Sequence, residues 1–206
     1  LAVGFNRRWA PLARATMEGL QGRAGPATIA ITVNAGALPA DHWTRDPSVG
    51  GGRITGEACH FIDLARFFAG CAIRTMSVAT ARGADGAVID DIASIALEFA
   101  DGSLAQIQYF ANGSRRFPKE RIECAWDGRI ACIENWNRAR GYGWSAPRTS
   151  PFAGQDKGHH AEIEAFASAV RKGGAPPVPL DEVIEVSRWS IIAGELARRG
   201  GGRISE

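Results

Sequence analysis

Between residues 71 and 135 the apolar side chains recur at every second position, the spacing of a half-buried β-strand. The predicted strands cover residues 73–80, 92–99, 104–111, 120–125 and 129–134. Asp101-Gly102 and Asp127-Gly128 separate two pairs of these strands and are typical of tight hairpin turns. A chain with this segment must build an antiparallel sheet and cover at least one of its faces with other elements.

The first hairpin has two possible registers. A three-residue loop that ends in a left-handed Gly102 places Leu97 opposite Ala105, so that apolar side chains share one face. A two-residue loop would place Leu97 opposite Gln106 instead. We therefore expect the three-residue loop.

The segments before the sheet alternate between strand and helix patterns. Residues 1–5 indicate a strand that the chain enters partway, which predicts that the chain is the back part of a longer protein. Asn6 is expected to cap a helix over residues 7–20, and residues 27–35 alternate as another strand. A helix over residues 54–69 is predicted to bury one face, made of Ala58, Phe61, Ile62, Ala65, Phe68 and Ala69.

Two further helices are predicted to complete the chain. The helix over residues 157–172 is expected to bury Ile163, Phe166, Ala167 and Val170. The helix over residues 181–199 is expected to bury Val183, Ile184, Val186, Ile191, Ile192 and Leu196. The fold class is therefore α+β, with an open, predominantly antiparallel sheet and helices on one face.

The uncovered face of that sheet is predicted to mix small, polar and aromatic residues, namely Thr75, Ser77, Ala96, Gln106, Gln108 and Phe110. A mixed face of this kind is more typical of an interface than of a solvent surface. We expect a homo-oligomer that assembles through the sheet.

Composition excludes several classes of protein. The 206 residues are 45% hydrophobic, which is too many for a disordered chain. The net charge is +2 with scattered basic residues, so neither a nucleic acid nor a membrane surface is an expected partner. The longest apolar run, residues 67–73, is far shorter than the ~18 residues that a membrane helix needs. The four cysteines form no Cys-x-x-Cys pair, which favours a reducing cytoplasm and no zinc site.

The richest chemistry follows Gly50-Gly51-Gly52. On the next helix Glu57, His60 and Asp63 lie one turn apart on the face opposite the predicted core. A carboxylate beside a histidine can fix its tautomer and raise its basicity, which makes His60 a candidate general acid/base that is free to titrate near neutral pH. The alternative is an exposed helix face with an ordinary ion pair. Cys59 and His60 diverge around the helix, so no metal site is expected.

The glycine run does not complete a nucleotide-binding motif. Thr55 stands where a third glycine would belong, and no strand precedes the run. We therefore expect this chain alone to bind NAD or NADP weakly or not at all. The irregular segment 36–53 holds His42 and Trp43, which suit a polar ligand such as a sugar; an ordinary surface loop is the alternative.

Three motifs together resemble one protein family. Gly50-Gly51-Gly52-Arg53-Ile54, followed by Cys59-His60-Phe61-Ile62-Asp63-Leu64, resembles the core signature of the glucose–fructose oxidoreductase / inositol dehydrogenase (Gfo/Idh/MocA) family. Asn6-Arg7-Arg8-Trp9-Ala10-Pro11 is similar to the segment that leaves that family's dinucleotide domain, and Lys157-Gly158-His159 to its late helix. Residues 109–121 are most similar to a subgroup fused behind an alcohol-dehydrogenase-like half.

The resemblance implies the substrate-binding C-terminal part of an NAD(P)-dependent oxidoreductase that acts on a sugar, a polyol or a related carbon–oxygen bond. It implies that residues 1–22 end the dinucleotide-binding domain and that residues 23–206 form the substrate-binding and oligomerisation domain. His60 would be the acid/base, with Glu57 and Asp63 tuning it. Pocket candidates are Asn6, Arg8, His42, Trp43 and Arg53.

Two departures from the family pattern leave an alternative open. Gly56 occupies the position of the family's aspartate, with Glu57 one residue later. None of the three lysines, Lys119, Lys157 and Lys172, has the context of the family's catalytic lysine. A non-catalytic sugar-binding or oligomerisation module of the same fold is therefore the second interpretation.

Overall fold

The computed structural model describes residues 1–39, 41–46, 48–147 and 154–206. These residues contain four α-helices and one eight-stranded sheet. The helices are α1 (Pro11–Leu20), α2 (Cys59–Ala69), α3 (His159–Lys172) and α4 (Leu180–Arg198). The strands are β1 (Thr28–Asn34), β2 (Ile73–Arg82), β3 (Val88–Phe99), β4 (Leu104–Phe110), β5 (Glu120–Trp126), β6 (Arg129–Glu134), β7 (Arg138–Tyr142) and β8 (Gly201–Ser205).

The sheet has the order β7-β6-β5-β1-β4-β3-β2-β8, and only β1 and β4 run parallel to each other. The predicted α+β class with an open, predominantly antiparallel sheet is confirmed. The register of the first hairpin is confirmed too, since Leu97 pairs with Ala105. In the second hairpin Cys124 pairs with Ala131, and all four cysteines are free thiols.

The two edge strands were not predicted from the sequence. Strand β7 alternates arginine with small residues, and β8 begins with two glycines, so neither shows the apolar alternation that marks a half-buried strand. Both strands form through backbone pairing, β7 with β6 and β8 with β2.

The core lies between one face of the sheet and the helices α2 and α4. Ile29 and Ile31 of β1 and Ile107 of β4 are at most 1% exposed and meet the predicted core face of α2, all of whose members are buried. Each large apolar side chain removed from water in this way stabilises the fold by ~1.5–3 kcal/mol. Trp189 of α4 lies in the same core.

The N-terminal prediction needs two corrections. Residues 1–5 form no strand, and the predicted helix over residues 7–20 is divided into a 3₁₀ turn, Asn6–Trp9, and α1. The division falls at Ala10, which is extended because the ring of Pro11 disfavours helical geometry in the residue before it. Asn6 caps neither element with its side chain.

The helix predicted over residues 54–69 begins with a π-helical turn, Ile54–Ala58, and continues as α2. Its core face is as predicted, but Asp63, which was expected on the open face with His60, is fully buried. The reason is a second packing surface, because the turn Asn6–Trp9 and helix α4 lie against α2 on that side.

Helices α3 and α4 bury less than their patterns predicted. No residue of α3 is buried, and Ile163 and Val170 are 67% and 64% exposed, because α3 packs mainly on the turn Asn6–Trp9. In α4, Val183, Val186 and Leu196 are buried as expected, whereas Ile184 and Ile191 are more than half exposed. Amphipathic spacing identified an apolar face in each helix without showing what covers it.

Gly158 explains how two motifs far apart in sequence come together. A Cβ atom at Gly158 would lie 2.4 Å from the nitrogen of Ala10 and 2.5 Å from the oxygen of Asn6, and the residue has a φ of +84°. Only glycine allows both this approach and this backbone conformation. The segment Lys157-Gly158-His159 is thereby packed directly on the turn Asn6–Trp9.

The uncovered face of the sheet carries Ser77, Ala96, Gln106, Gln108 and Phe110, all partly or fully exposed. Ser77 pairs with Ala96, which pairs with Gln106, so these residues form a continuous row across β2, β3 and β4. Thr75 lies on the same face, because it pairs with Glu98 two positions before the Ser77–Ala96 pair, but it is only 8% exposed.

Candidate active site

Two consecutive arginines of the turn Asn6–Trp9 bind different parts of the fold. Arg7 reaches Glu120 at the start of β5, with Nη2 3.0 Å from Oε1 and Nε 3.3 Å from Oε2. Its guanidinium also lies 5.0 Å above the ring centre of Phe61 on α2. Through Arg7 the turn therefore contacts both the sheet and α2.

Glu120 is fully buried and binds two cations. Besides Arg7, its Oε1 accepts a bond of 2.7 Å from Nζ of Lys157, and its Oε2 accepts one from the indole of Trp136. Burial opposes ionisation, but Arg7 and Lys157 outweigh it and lower the pKa of Glu120 to about 2. The carboxylate is thus an internal anion that holds the Arg7 and Lys157 motifs together.

Arg8 binds the opposite side of the turn. Its Nε lies 2.9 Å from Oδ2 of Asp63, its Nη2 donates a second bond to the same carboxylate, and Nη2 is also 2.8 Å from Oε1 of Glu182. Burial raises the pKa of Asp63 to about 6, and the bond to Arg8 counteracts that rise. The expectation that Asp63 tunes His60 is therefore wrong, because both its oxygens bind Arg8, which links the turn to α2 and α4.

Glu57 also has other partners than His60. Its Oε1 lies 3.0 Å from Nε of Arg53, and its Oε2 accepts a bond of 3.0 Å from the hydroxyl of Tyr109. Burial and then the Glu57 carboxylate raise the pKa of Tyr109 above its ordinary value, so the phenol stays protonated as a donor. Arg53 is buried and donates a further bond of 2.7 Å to the carbonyl of Gly36. The direct hydrogen bond expected between Glu57 and His60 is absent.

His60 is half-buried beside the turn Asn6–Trp9. Its ring meets the ring of Phe5 edge-on at 6.4 Å, and its Nδ1 is buried without a hydrogen-bond partner in the described chain. Burial, and after it the charge of Arg7, lowers the pKa of His60 to about 4, while Glu120 acts in the opposite direction. One expectation is corrected here: the pKa of His60 lies below the neutral range, and the charged groups that act on it are Arg7, Glu120, His159 and Glu57.

The pocket candidates fall into two groups. Asn6, Arg8 and Arg53 lie around α2, and Asn6 Nδ2 donates a bond of 2.8 Å to the carbonyl of Lys157. His42 and Trp43 lie apart from them: their rings stack at 6.1 Å, His42 Nδ1 is 2.8 Å from Thr44 Oγ1, and Trp43 is 62% exposed. No described contact joins that pair to His60.

Sequence reasoning missed Glu120, Lys157 and Tyr109 as members of this region. The strand pattern contained a signal for Glu120, because it lies at a position of β5 that alternates with the buried Ile122 and Cys124. A buried glutamate needs a cationic partner. Nothing local identified that partner, because Arg7 lies 113 residues away.

The space around the glycine run before α2 is occupied by other atoms of the protein. A Cβ atom at Gly50 would lie 2.6 Å from Cα of Thr44, and Arg198 Nη1 donates a bond of 3.1 Å to the carbonyl of Gly51. The run turns the chain tightly into the π-helical turn and leaves no cradle for a pyrophosphate. The residues described here therefore do not fit a dinucleotide as its main binding site.

Metal clusters and membrane-spanning helices are both absent from the described ranges. Within residues 1–39, 41–46, 48–147 and 154–206, no three His, Cys, Asp or Glu side chains are grouped so as to hold a metal ion. No helix in the same ranges is both long and apolar enough to cross a bilayer.

Comparison with known protein families gives one match. Residues 16–125, more than half of the chain, match the model of the GFO/IDH/MocA C-terminal domain. No curated protein sequence matches the chain.

Solved structures share the fold at low sequence identity. Aldose-aldose oxidoreductase from Caulobacter crescentus, complexed with glycerol, is 17% identical with a TM-score of 0.75, covering 100% of this chain and 64% of its own. GenD2 from gentamicin A biosynthesis, complexed with NAD, is 20% identical with a TM-score of 0.70, covering 100% of this chain and 63% of its own. A putative myo-inositol dehydrogenase from Sinorhizobium meliloti 1021 is 22% identical with a TM-score of 0.68, covering 98% and 64%. The chain spans less than two thirds of the length of these proteins.

The buried Glu120 cluster makes stability depend on acid pH. The ionised form of Glu120 stabilises the fold at pH values above its ordinary pKa of 4.5, and this contribution is lost as the pH falls towards 2. Glu120→Gln should therefore lower the free energy of unfolding by roughly 3 kcal/mol at pH 7, and by much less at pH 3. Urea denaturation of both proteins at the two pH values measures this.

Glu123→Gln is the matched control on the same strand, because the Glu123–Arg121 pair lies on the open face. We expect it to change stability by less than about 0.5 kcal/mol at either pH. A Glu120→Gln protein as stable as the parent at pH 7, or equally weakened at pH 3, would contradict the role of this ion cluster.

Proposed function

The chain belongs to the GFO/IDH/MocA family and contains its C-terminal domain, and from that membership we propose that it is the substrate-binding part of an NAD(P)-dependent oxidoreductase that acts on a sugar or polyol. The observation that carries the proposal is the position of His60. It lies on the first turn of α2, directly after the glycine run, beside a fixed set of charged groups.

His60 is proposed to accept the proton of the substrate hydroxyl. Its Nδ1 is enclosed, so Nε2, for which the described chain holds no hydrogen-bond partner, is the atom that would receive the proton. A pKa of about 4 keeps the imidazole neutral over the whole physiological pH range, and it also makes His60 a weaker base than an imidazole that titrates near neutral pH. The Arg53–Glu57–Tyr109 set would position the substrate's other hydroxyls one turn away.

A nicotinamide dinucleotide would supply the hydride acceptor. Because the glycine run, within the described residues, leaves no cradle for it, we assign the cofactor, NAD or NADP, to a preceding domain of the parent protein. Residues 1–22 would then be the end of that domain and its linking helix, and residues 23–206 the substrate-binding domain. Solved structures with the same fold include a levoglucosan dehydrogenase complexed with NADH, which supports this assignment. The fusion to an alcohol-dehydrogenase-like half remains a prediction.

The substrate class follows from the chemistry of the region. The partly exposed Glu57 carboxylate, held by the buried Arg53 and Tyr109, offers an acceptor for hydroxyl groups, which suits a polyhydroxylated molecule. Four free thiols support a cytoplasmic location. A non-catalytic sugar-binding or oligomerisation module is the second candidate, and it is favoured by Gly56, which places no carboxylate where the family pattern has an aspartate.

Replacement of His60 separates the two candidates. In the full-length parent, His60→Ala should lower kcat by about 10²–10⁴-fold, the usual contribution of a general acid/base. The measurement is NAD(P)H formation with a panel of sugars and polyols. His160→Ala is the control, because His160 is exposed on α3 and should leave the rate unchanged. A near-normal rate in the His60 variant would remove it from the mechanism.

The uncovered face of the sheet is proposed to join two copies of the chain. Its exposed row of small and polar side chains is continuous across β2, β3 and β4. Two such faces related by a two-fold axis would close into a dimer, the commonest symmetry, and bury on the order of 1,200 Å² or more.

A charge at the centre of that face should prevent dimerisation. Ala30 lies between Gln106 and Glu123, and Ala30→Glu would place a second carboxylate beside Glu123 on each copy. Sedimentation equilibrium should give twice 21.9 kDa for the parent chain and 21.9 kDa for the variant. Ala84→Glu, in the exposed turn between β2 and β3, should remain a dimer. A monomeric parent chain, or a dimeric Ala30→Glu variant, would reject this interface.

A further inference from the structure

A cavity of about 260 Å³ opens where β1 ends and the chain enters β5. Its walls are formed by residues 34–38 and by Arg115, Phe117 and Lys119. The volume lies just below the ~300 Å³ at which small-molecule pockets begin, and is of the size of one sugar ring. None of its lining residues is acidic.

Asn34 builds this cavity. Its side chain is 5% exposed, and its Nδ2 donates to the carbonyl of Ser114 at 2.7 Å and to that of Phe117 at 3.5 Å. These two bonds hold the loop on either side of Arg115. A Cβ atom at Gly113 would lie 2.2 Å from Oδ1 of Asn34, so the loop packs directly on the amide.

A backbone hydrogen bond holds Lys119 in position. Its carbonyl accepts a bond of 2.8 Å from the Asn34 nitrogen, and the next residue, Glu120, is fully buried. Because side chains alternate along an extended chain, the burial of Glu120 directs Lys119 away from the core. The lysine is thereby held at the rim of the cavity.

The two cations of this cavity, Arg115 and Lys119, differ from the arginines around α2 in having no carboxylate partner among the described residues. Arg7, Arg8 and Arg53 are all paired with carboxylates. Neither Arg115 nor Lys119 has a side-chain hydrogen bond or an ion pair within the described part of the chain. Phe117, which is 46% exposed, offers an apolar surface between them on which the ring face of a sugar can stack.

We propose that this cavity is a subsite for an anionic substituent of the substrate, so that the sugar or polyol carries a carboxylate or a phosphate. Arg115 and Lys119 bind the anion, and Phe117 packs against the carbon face of the ring. The inference rests on the proposed function and narrows its substrate class.

The subsite shares a wall with the residues around α2. Gly36 lines the cavity, and its carbonyl accepts the bond from Arg53, which also binds Glu57. Glu57 lies one turn before His60 on the same helical segment. A substrate with its anionic end on Lys119 would have to extend past Gly36 to bring its hydroxyls to Glu57.

The test is calorimetric titration of the 206-residue chain with D-glucuronate, glucose 6-phosphate and glucose at low salt. We expect at least one of the anionic sugars to bind with a Kd at least ~10-fold lower than that of glucose, and its affinity to fall as NaCl rises. Whether the carboxylate or the phosphate binds more tightly identifies the substituent.

Three variants locate the binding. Arg115→Ala and Lys119→Ala should each raise the Kd of the anionic sugar about 5-fold or more, whereas Lys119→Arg should restore it. Arg116→Ala is the control, since Arg116 is an exposed neighbour outside the cavity. Because these side chains are exposed, all four variants should keep the melting temperature of the parent chain.

Three results would overturn the subsite: no detectable binding of either anionic sugar, an equal affinity for glucose, or the same loss of affinity in Arg116→Ala. Binding is measured here without turnover. Failure of the subsite is thus distinct from failure of the proposed function, which would appear as an absence of NAD(P)H formation by the parent enzyme.

Discussion

The structure depends on two adjacent arginines that point in opposite directions from one short turn. Arg7 binds the buried Glu120 of the sheet, and Arg8 binds the buried Asp63 of α2 together with Glu182 of α4. A charge removed from water is tolerated only when it is paired and hydrogen-bonded. The turn Asn6–Trp9 is therefore held in one position between sheet and helices, and Gly158 brings the segment before α3 onto the same turn.

This arrangement sets the properties of His60. The histidine lies on the side of α2 that faces the turn, and its neighbours include the cation of Arg7 and the anion of Glu120. Since Arg7 is fixed by Glu120, its charge cannot move away when His60 takes up a proton. The ion cluster thus stabilises the fold, and the charge of Arg7 adds to burial in lowering the pKa of His60, against the opposing effect of Glu120. Asp63 and Glu57 form their hydrogen bonds with other partners.

Local patterns in the sequence predicted local structure. The period of two identified six of the eight strands, Asp101-Gly102 predicted the register of Leu97 with Ala105, and helical spacing identified the core face of α2. The candidate site was predicted less well, because its bonds join residues far apart: Arg7 and Glu120 are separated by 113 positions. Spacing placed Asp63 beside His60 but carried no information on the arginine that binds it. The predicted burial of α3 was wrong for a related reason. The spacing of Ile163, Phe166 and Val170 shows an apolar face but carries no information on which element covers it.

The central claim is that burial and the fixed charge of Arg7 keep His60 neutral as a base. The most direct test is an NMR titration of the His60 imidazole in the intact chain. We expect its pKa well below the ordinary 6.5 and close to 4, and in an Arg7→Gln variant that remains folded we expect the value to rise. A pKa of His60 at or above 6.5 in the parent chain would contradict the account.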